Sequence, residues 1–309
     1  MERDRLIAPR DFEGYGRNLP DIRWPNGHRI AVSFVVNFEE GAEFSMADGD
    51  PRNEAVYEVI DRLDIADSCI DSHFEYGTRV GYWRIADMFE RLGGKFTLSS
   101  CARAVEVSPW LARDAIARGH EVSAHGYRWQ SHAGMTIDQE RAVIRQTLDS
   151  IERVTGQRPV GWHTRSARTA ATRSIVVEEG LLYDSDAYND DTPYFVDVGD
   201  RRHLVLPYAF DTNDMQFQHT QRFNTASSFA EYVCDAFDCL WEEGETAPRM
   251  LSIGLHLRMI GRPGRIAALR QILKHITGRE GAWIASRRAI AQHWLAAAAS
   301  KGRALRVEP

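Results

Sequence analysis

Four cysteines occur in 309 residues (Cys69, Cys101, Cys234 and Cys239), and none forms a CxxC pair. The chain therefore offers neither a disulfide framework nor a thiolate zinc motif, and a reducing compartment is expected. No apolar run approaches the ~20 residues that cross a bilayer, so no membrane segment is expected. Met1 to Asp11 alternates charged with isolated apolar residues and lacks a signal-peptide core, which points to the cytoplasm. Positive charge is not in excess: 38 basic against 44 acidic residues give a formal charge of −6, with no basic stripe to hold nucleic acid. A glycine-rich phosphate loop, a GxSxG elbow and a Cys/His nucleophile pair are also missing, which removes several large enzyme classes.

What is present is a chain of ordinary globular composition, 43% hydrophobic and 27% charged, long enough for one barrel-sized domain. Ile30 to Val36 is a continuous apolar run, the pattern of a parallel strand covered on both faces. Ser108 and Pro109 open a helix that Gly119 closes, and Glu121 to Ala124 reads as a strand. Thr136 with Gln139 forms a capping-box pattern ahead of a helix whose buried stripe is Val143, Ile144, Thr147, Leu148, Ile151 and Val154. Further strands are expected at Pro159–Trp162, His203–Tyr208, Leu251–Leu255 and Ala282–Ala285, with another amphipathic helix from Ile266 to Ile276. Alternating β and α units favour a parallel α/β sheet or barrel. Ala42–Arg52 and Asp186–Asp200, rich in Asp, Gly, Pro and Asn, read as long loops where strand C-termini open.

Three motifs carry proton chemistry at strand ends. Asn37-Phe38-Glu39-Glu40-Gly41 places two carboxylates where a buried strand meets solvent, and adjacent like charges raise each other's pKa. They form either a general base, an acid/base pair, or two solvated loop residues. A second strand delivers His125, within His125-Gly126-Tyr127-Arg128-Trp129. Four residues on from His125, where a helix would place a second metal ligand, stands Trp129, whose indole has an N–H and no lone pair. His132 is too distant along a helix to replace it, since seven residues rise ~10 Å. Two nitrogens on one zinc lie within roughly 4 Å of each other. His132 serves only if the segment is not helical. A third apolar strand ends in His256. Lesser candidates mix hydrogen-bonding groups with aromatics: Glu75 and Arg79, Trp162 and Arg165, Asp184-Ser185-Asp186, and Tyr208 with Asn213 and Asp214.

In this layout the chain resembles the polysaccharide deacetylase superfamily, and more closely its metal-independent allantoinase branch of urate catabolism. The stretches that carry the likeness are Phe12-Glu13-Gly14-Tyr15-Gly16, Asn37 to Gly41, Phe74 to Gly77, Ser123 to Trp129, Asp211 to Met215, and Met250 to His256 with Gly261-Arg262-Pro263. They span about Asp11 to Trp294. The stretch Gly161 to Arg173 departs from the pattern, with His163 where tyrosine is usual.

The resemblance implies a deacetylase-type (β/α) barrel, distorted and seven-stranded, with capping loops. A division into an N-terminal extension (1–29), a barrel (30–295) and a C-terminal tail (296–309) is expected. It implies that Glu40, His125 and Trp129 stand where the deacetylase Asp-His-His metal triad would be, so that no metal cofactor is needed, with zinc as the alternative. It further implies a homotetramer acting on a small-molecule substrate. The expected activity is hydrolysis of a small cyclic amide such as allantoin. In this reading His256 is the main acid/base group, Glu39 or Glu40 orients or deprotonates water, and His125 and Trp129 bind the ring. Glu75, Arg79, Trp162, Arg165, Tyr208 and Asn213 are further substrate-binding candidates. The competing readings are a metal-dependent cyclic imide hydrolase or other amidase of the same superfamily, and a non-catalytic small-molecule binding protein.

Overall fold

A computed structural model describes residues 10–55, 64–218 and 223–300. The outer parts of the expected N-terminal extension and C-terminal tail, residues 1–9 and 301–309, lie outside the described residues.

The elements follow in the order β1 (Ile30–Phe38), α1 (Ser68–Tyr76), a π turn (Gly77–Gly81), α2 (Tyr82–Leu92), β2 (Phe96–Ser100), α3 (Ala102–Val107), α4 (Pro109–Ala117), β3 (Glu121–Ala124) and α5 (Ile137–Thr155). Next come β4 (Gly161–Trp162), α6 (Thr172–Glu178), β5 (Tyr183–Asp184), β6 (Tyr194–Val198), β7 (Arg201–Val205), α7 (Ala226–Glu243), β8 (Arg249–His256), α8 (Leu257–Ile260), α9 (Ile266–Thr277), β9 (Ala282–Ile284) and α10 (Arg287–Ser300). The strands form one sheet ordered β6-β7-β5-β4-β3-β2-β1-β8, with β9 beside the start of β1. All pairings are parallel except β6 with β7.

This is the α/β deacetylase-type barrel, with nine strands rather than the expected seven. One of the additional strands, β6, lies in the segment read as a loop, Asp186–Asp200. Its Tyr194, Phe195 and Val196 are half-buried and pair antiparallel with β7, so the segment forms an edge hairpin. β2, α1, α2, α7 and α10 also stand where the sequence reading placed no element.

The barrel does not close by a full ladder. Asn213 makes a single parallel bridge to Gly254 of β8. Around that bridge, Gly254 N–H donates to Thr212 O at 3.0 Å, the Thr212 hydroxyl to Ser252 O at 2.6 Å, and the Ser252 hydroxyl to Pro207 O at 2.8 Å. The buried Arg287 guanidinium reaches Pro207 O at 2.9 Å and Ser252 Oγ at 2.8 Å, stapling the same seam. Polar side chains here replace a strand pair, which keeps the seam's backbone groups satisfied.

β1 is buried along its whole length, which accounts for its unbroken apolar run. The capping box at Thr136 and Gln139 opens α5 as its pattern predicts, and Ile144, Thr147, Leu148 and Ile151 are buried on it. Val143 and Val154 are only half-buried. The N-terminal segment packs at the opposite end of the strands from the carboxylates. Ile22 and Trp24 are buried with Ile290 and Trp294 of α10, and the Trp24 indole donates to Arg249 O, at the start of β8, at 2.8 Å. α10 runs unbroken to Ser300, so the expected tail boundary at residue 296 falls inside a helix.

Candidate active site

In parallel register, Asn37 of β1 lies opposite His256 of β8. Four residues beyond Asn37, the turn at Gly41 needs a positive φ of 93°, a conformation glycine adopts without penalty. It holds Glu39 and Glu40 at the C-terminal end of the barrel, where His125 also emerges after β3 and His163 after β4. Glu39, Glu40, His125 and His256 are 1%, 2%, 3% and 7% exposed, so the group is closed from bulk water.

Glu39 is the hub. Its Oε1 lies 3.5 Å from His125 Nε2 and 3.5 Å from His256 Nε2, while its Oε2 lies 2.8 Å from Arg258 Nη1. Behind the first imidazole, His125 Nδ1 donates to His163 O at 2.8 Å, which turns Nε2 toward Glu39. The His163 ring stacks on it at 4.7 Å. Behind the second, His256 Nδ1 is 2.6 Å from Asp214 Oδ1, and the other Asp214 oxygen accepts from the backbone N–H of His256 and of Ile260. A carboxylate held by two backbone donors is a rigid anchor for an imidazole.

The electrostatics follow from this wiring. Burial pushes the Glu39 carboxyl up, but Arg258, His256 and His125 together hold it well below the usual range, so it is ionised. Burial lowers His256, and Glu39 and Asp214 outweigh it, raising the imidazole to about 9. His256 therefore enters neutral solution as an imidazolium. Glu40 moves the other way: burial and the neighbouring Glu39 raise it against the pull of Arg258.

The two glutamates thus separate into different roles. Glu40 Oε2 accepts from Glu39 N–H at 3.1 Å, and Oε1 accepts from the Arg258 backbone at 3.2 Å and from Nη1 at 3.3 Å. A Cβ added at Gly77 would lie 2.4 Å from Glu40 Oε1, so that glycine lets the π turn close over the carboxylate. Glu40 is enclosed, whereas Glu39 faces both histidines.

The other sequence candidates fall in different places. Trp129 stands beside the cluster, half-buried, 6.3 Å from the Phe74 ring and 4.9 Å from the Arg258 guanidinium carbon. Arg165 is turned to Trp129 and not into the cluster. Its guanidinium lies 3.5 Å over the Trp129 ring, donates to Trp129 O at 2.5 Å and grips Glu54 with two bonds of 3.1 Å, clamping the loop after β1 over the site. Tyr208 accepts from Asn37 at 3.0 Å and from Asn213 at 3.2 Å, tying the closing seam to β1. Trp162 is buried and donates to Thr164 at 2.8 Å. Glu75 and Arg79 pair with each other on the surface at 3.5 Å, with side chains 57% and 74% exposed. In their stretch, Gly77 is the residue that meets the site.

The segment after His125 is not helical, which satisfies the condition set for His132. His132 nevertheless bonds Glu140 at 2.9 Å, in a separate buried cluster with Thr169 and Thr172. The sequence motifs do not single out Arg258, and they mark Asp214 only within a lesser candidate stretch. An arginine two places beyond a strand-terminal histidine, and an aspartate closing the Asp211-Thr212-Asn213-Asp214 stretch, are the signals in the sequence that mark them.

A metal of the deacetylase kind does not fit these residues. A guanidinium already bridges Glu39 and Glu40, both oxygens of Glu40 are occupied by N–H donors, and Trp129 has no electron pair to offer. Two like unit charges 4 Å apart repel by about 4 kcal/mol at an effective dielectric of ~20, and a dication more. Among the described residues no group of three or more His, Cys, Asp or Glu side chains is placed to hold a metal ion.

Three cavities open elsewhere. One of about 530 Å³ lies between residues 11–19 and 189–195, one of about 230 Å³ touches Tyr208, Thr212 and Ser252, and one of about 740 Å³ lies beside residues 166–174 and 196–199. None of these three is lined by Glu39 or His256.

Comparison with known proteins gives the class. The polysaccharide deacetylase family model matches residues 64–181. A Schizosaccharomyces pombe protein that carries a polysaccharide deacetylase name is 37% identical over 94% of this chain and 98% of its own length. A Pseudomonas aeruginosa structure titled as a polysaccharide deacetylase superposes with a TM-score of 0.88 at 44% identity, covering 93% of this chain and 98% of that one. The structure of an allantoinase, PuuE, superposes with a TM-score of 0.89 at 42% identity, covering 94% and 98%. The chain belongs to the polysaccharide deacetylase superfamily and is a hydrolase of that family. No helix among the described residues is long and apolar enough to cross a membrane.

Proposed function

We propose that the chain hydrolyses the ring amide of a small cyclic amide or ureide, with allantoin, opened to allantoate, as the first candidate. The observation that carries the reading is the line Asp214–His256–Glu39, an anchored imidazolium facing an ionised carboxylate in a closed site. The 42% identity to an allantoinase along nearly the whole chain supports the choice of substrate.

Opening a cyclic amide needs a base for the attacking water, a donor for the carbonyl oxygen and an acid for the departing nitrogen. Glu39, ionised and 3.5 Å from each Nε2, takes the proton from water. His256, protonated at neutral pH, gives its Nε2 proton to the ring nitrogen as the C–N bond breaks. His125, held by His163 O, lies against the ring, and the Trp129 indole N–H donates to a carbonyl. Enclosure by the Arg165–Glu54 clamp suits a small ring better than a polymer chain. Entry then requires the loop from Ala42 to Glu54 to part from Trp129.

The test is turnover on allantoin, hydantoins, dihydropyrimidines, cyclic imides and acetylated sugars, with and without chelator. Ring opening that survives chelation is expected. Stoichiometric zinc with activity lost to chelator supports the metal-dependent alternative, and binding without turnover supports a non-catalytic protein. A homotetramer in solution belongs to the same proposal and is checked by light scattering.

A further inference from the structure

The most unusual group in the site is one that neither imidazole touches. Arg258 is fully buried, and its guanidinium lies 2.8 Å from Glu39 and 3.3 Å from Glu40, 4.6 Å from the Phe74 ring and 4.9 Å from the Trp129 ring. Its Nε and Nη2 are buried without hydrogen-bond partners. Two carboxylates and two ring faces form a negative, buried enclosure around one planar cation, which suits an arginine better than any other side chain.

The position of that cation is set by the fold. β8 passes directly into α8, so the chain turns back over the end of β1, and the Arg258 backbone N–H caps the same Glu40 oxygen that its guanidinium approaches. The paired carboxylates lie on one side of the cation and the Trp129 ring on another, and Glu40, His125 and Trp129 stand where the resemblance places the deacetylase metal triad.

We propose that Arg258 is a built-in substitute for the metal ion: a positioning residue whose fixed charge holds Glu39 aimed at His125 and His256, and whose bulk denies the place to a dication. The proposal rests on the hydrolase reading only in naming Glu39 as the group that handles the proton. Arg258 acts through Glu39 and not on the substrate. Loss of the cation has two consequences that an inert staple between α8 and β1 would not produce: Glu39 titrates higher, and the enclosure becomes able to accept a metal once a third ligand is supplied.

Both are measured without substrate. Zinc titration by calorimetry compares W129H with W129H/R258Q, folding being checked by circular dichroism. The double variant is expected to bind zinc at least ~10-fold more tightly than W129H. Equal affinity, or a folded double variant that takes no zinc, overturns the proposal. Carbon-13 NMR titration of the glutamate carboxyls follows Glu39 in the wild type, R258K and R258Q. Its midpoint is expected to stay low in R258K, which keeps the charge, and to rise by roughly 1–3 units in R258Q. If R258Q does not fold, R258K decides alone: a midpoint back in the ordinary glutamate range overturns the proposal, and an unchanged low midpoint supports it. Absence of turnover on ring amides, with both substrate-free results as expected, would remove the hydrolase reading and leave the role of Arg258 standing.

Discussion

Among the buried histidine–carboxylate clusters of the described residues, those built on Glu140 and Glu39 differ in how completely their polar atoms are used. In the Glu140 cluster, the carboxylate takes a 2.9 Å bond from His132, a 2.5 Å bond from Thr172 and another from Thr169. These bonds outweigh burial and lower the Glu140 carboxyl. In the Glu39 cluster, both imidazoles stand off at 3.5 Å, and one Glu39 oxygen faces only the Arg258 cation. A satisfied network fixes structure, while a charged group with loose partners retains capacity for a proton in transit. A histidine near a glutamate is thus an ambiguous signal until the spacing is known.

The sharpest way to break this comparison is to remove one imidazole from each cluster. Replacing His256 with alanine is expected to lower turnover by at least ~10²-fold, measured at saturating substrate, while H132A leaves turnover near wild type. Equal losses in both would erase the distinction. Asp214→Asn keeps the shape but weakens the anchor of the imidazolium. A fall of roughly 10-fold to 100-fold in kcat, with the alkaline limb of the pH profile moved to lower pH, is expected.

The pH dependence of the wild type separates the clusters next. Turnover should fall as pH rises through about 9, where His256 loses its proton. Because His256 is raised from 6.5 in the fold, its contribution to stability is complete below 6.5 and is lost as pH climbs through about 9. The stability gap between wild type and H256Q, from urea melts, should narrow across that window. The reverse trend would contradict the assignment of His256 as an imidazolium.

Stability distinguishes the second cluster. His132→Gln disturbs the network around the buried Glu140 and is expected to cost about 1–3 kcal/mol in denaturant melts with kcat little changed. The smallest effect belongs to R79A: its ion pair with Glu75 is exposed, and a change within ~0.5 kcal/mol, with unaltered kinetics, is expected.

Much of the framework was legible from residue pattern. The unbroken apolar run of β1, the capping box before α5 and the strand ending in His256 each express a local rule, and local rules survive folding. β6 was not legible, because an edge hairpin buries only part of its surface and its turn residues look like a loop. Among site residues, the strand-end positions of Glu39, Glu40, His125 and His256 could be read from the chain. The direction in which Arg165 and Arg79 point could not, since an arginine's long stem reaches many partners from one backbone position.

Sequence by itself determined which groups able to move protons sit at strand ends, because burial of a parallel strand demands apolar residues and leaves its terminus to polar ones. It also determined that Trp129 supplies no metal ligand, a property of the indole alone. Tertiary structure decided which glutamate is ionised, which histidine is anchored by Asp214 and where the buried cation lies. Those depend on distances between residues far apart in the chain, 42 positions for Asp214 and His256 and more than 200 for Glu39 and Arg258, whose 2.8 Å contact exists only once β1 and β8 lie side by side.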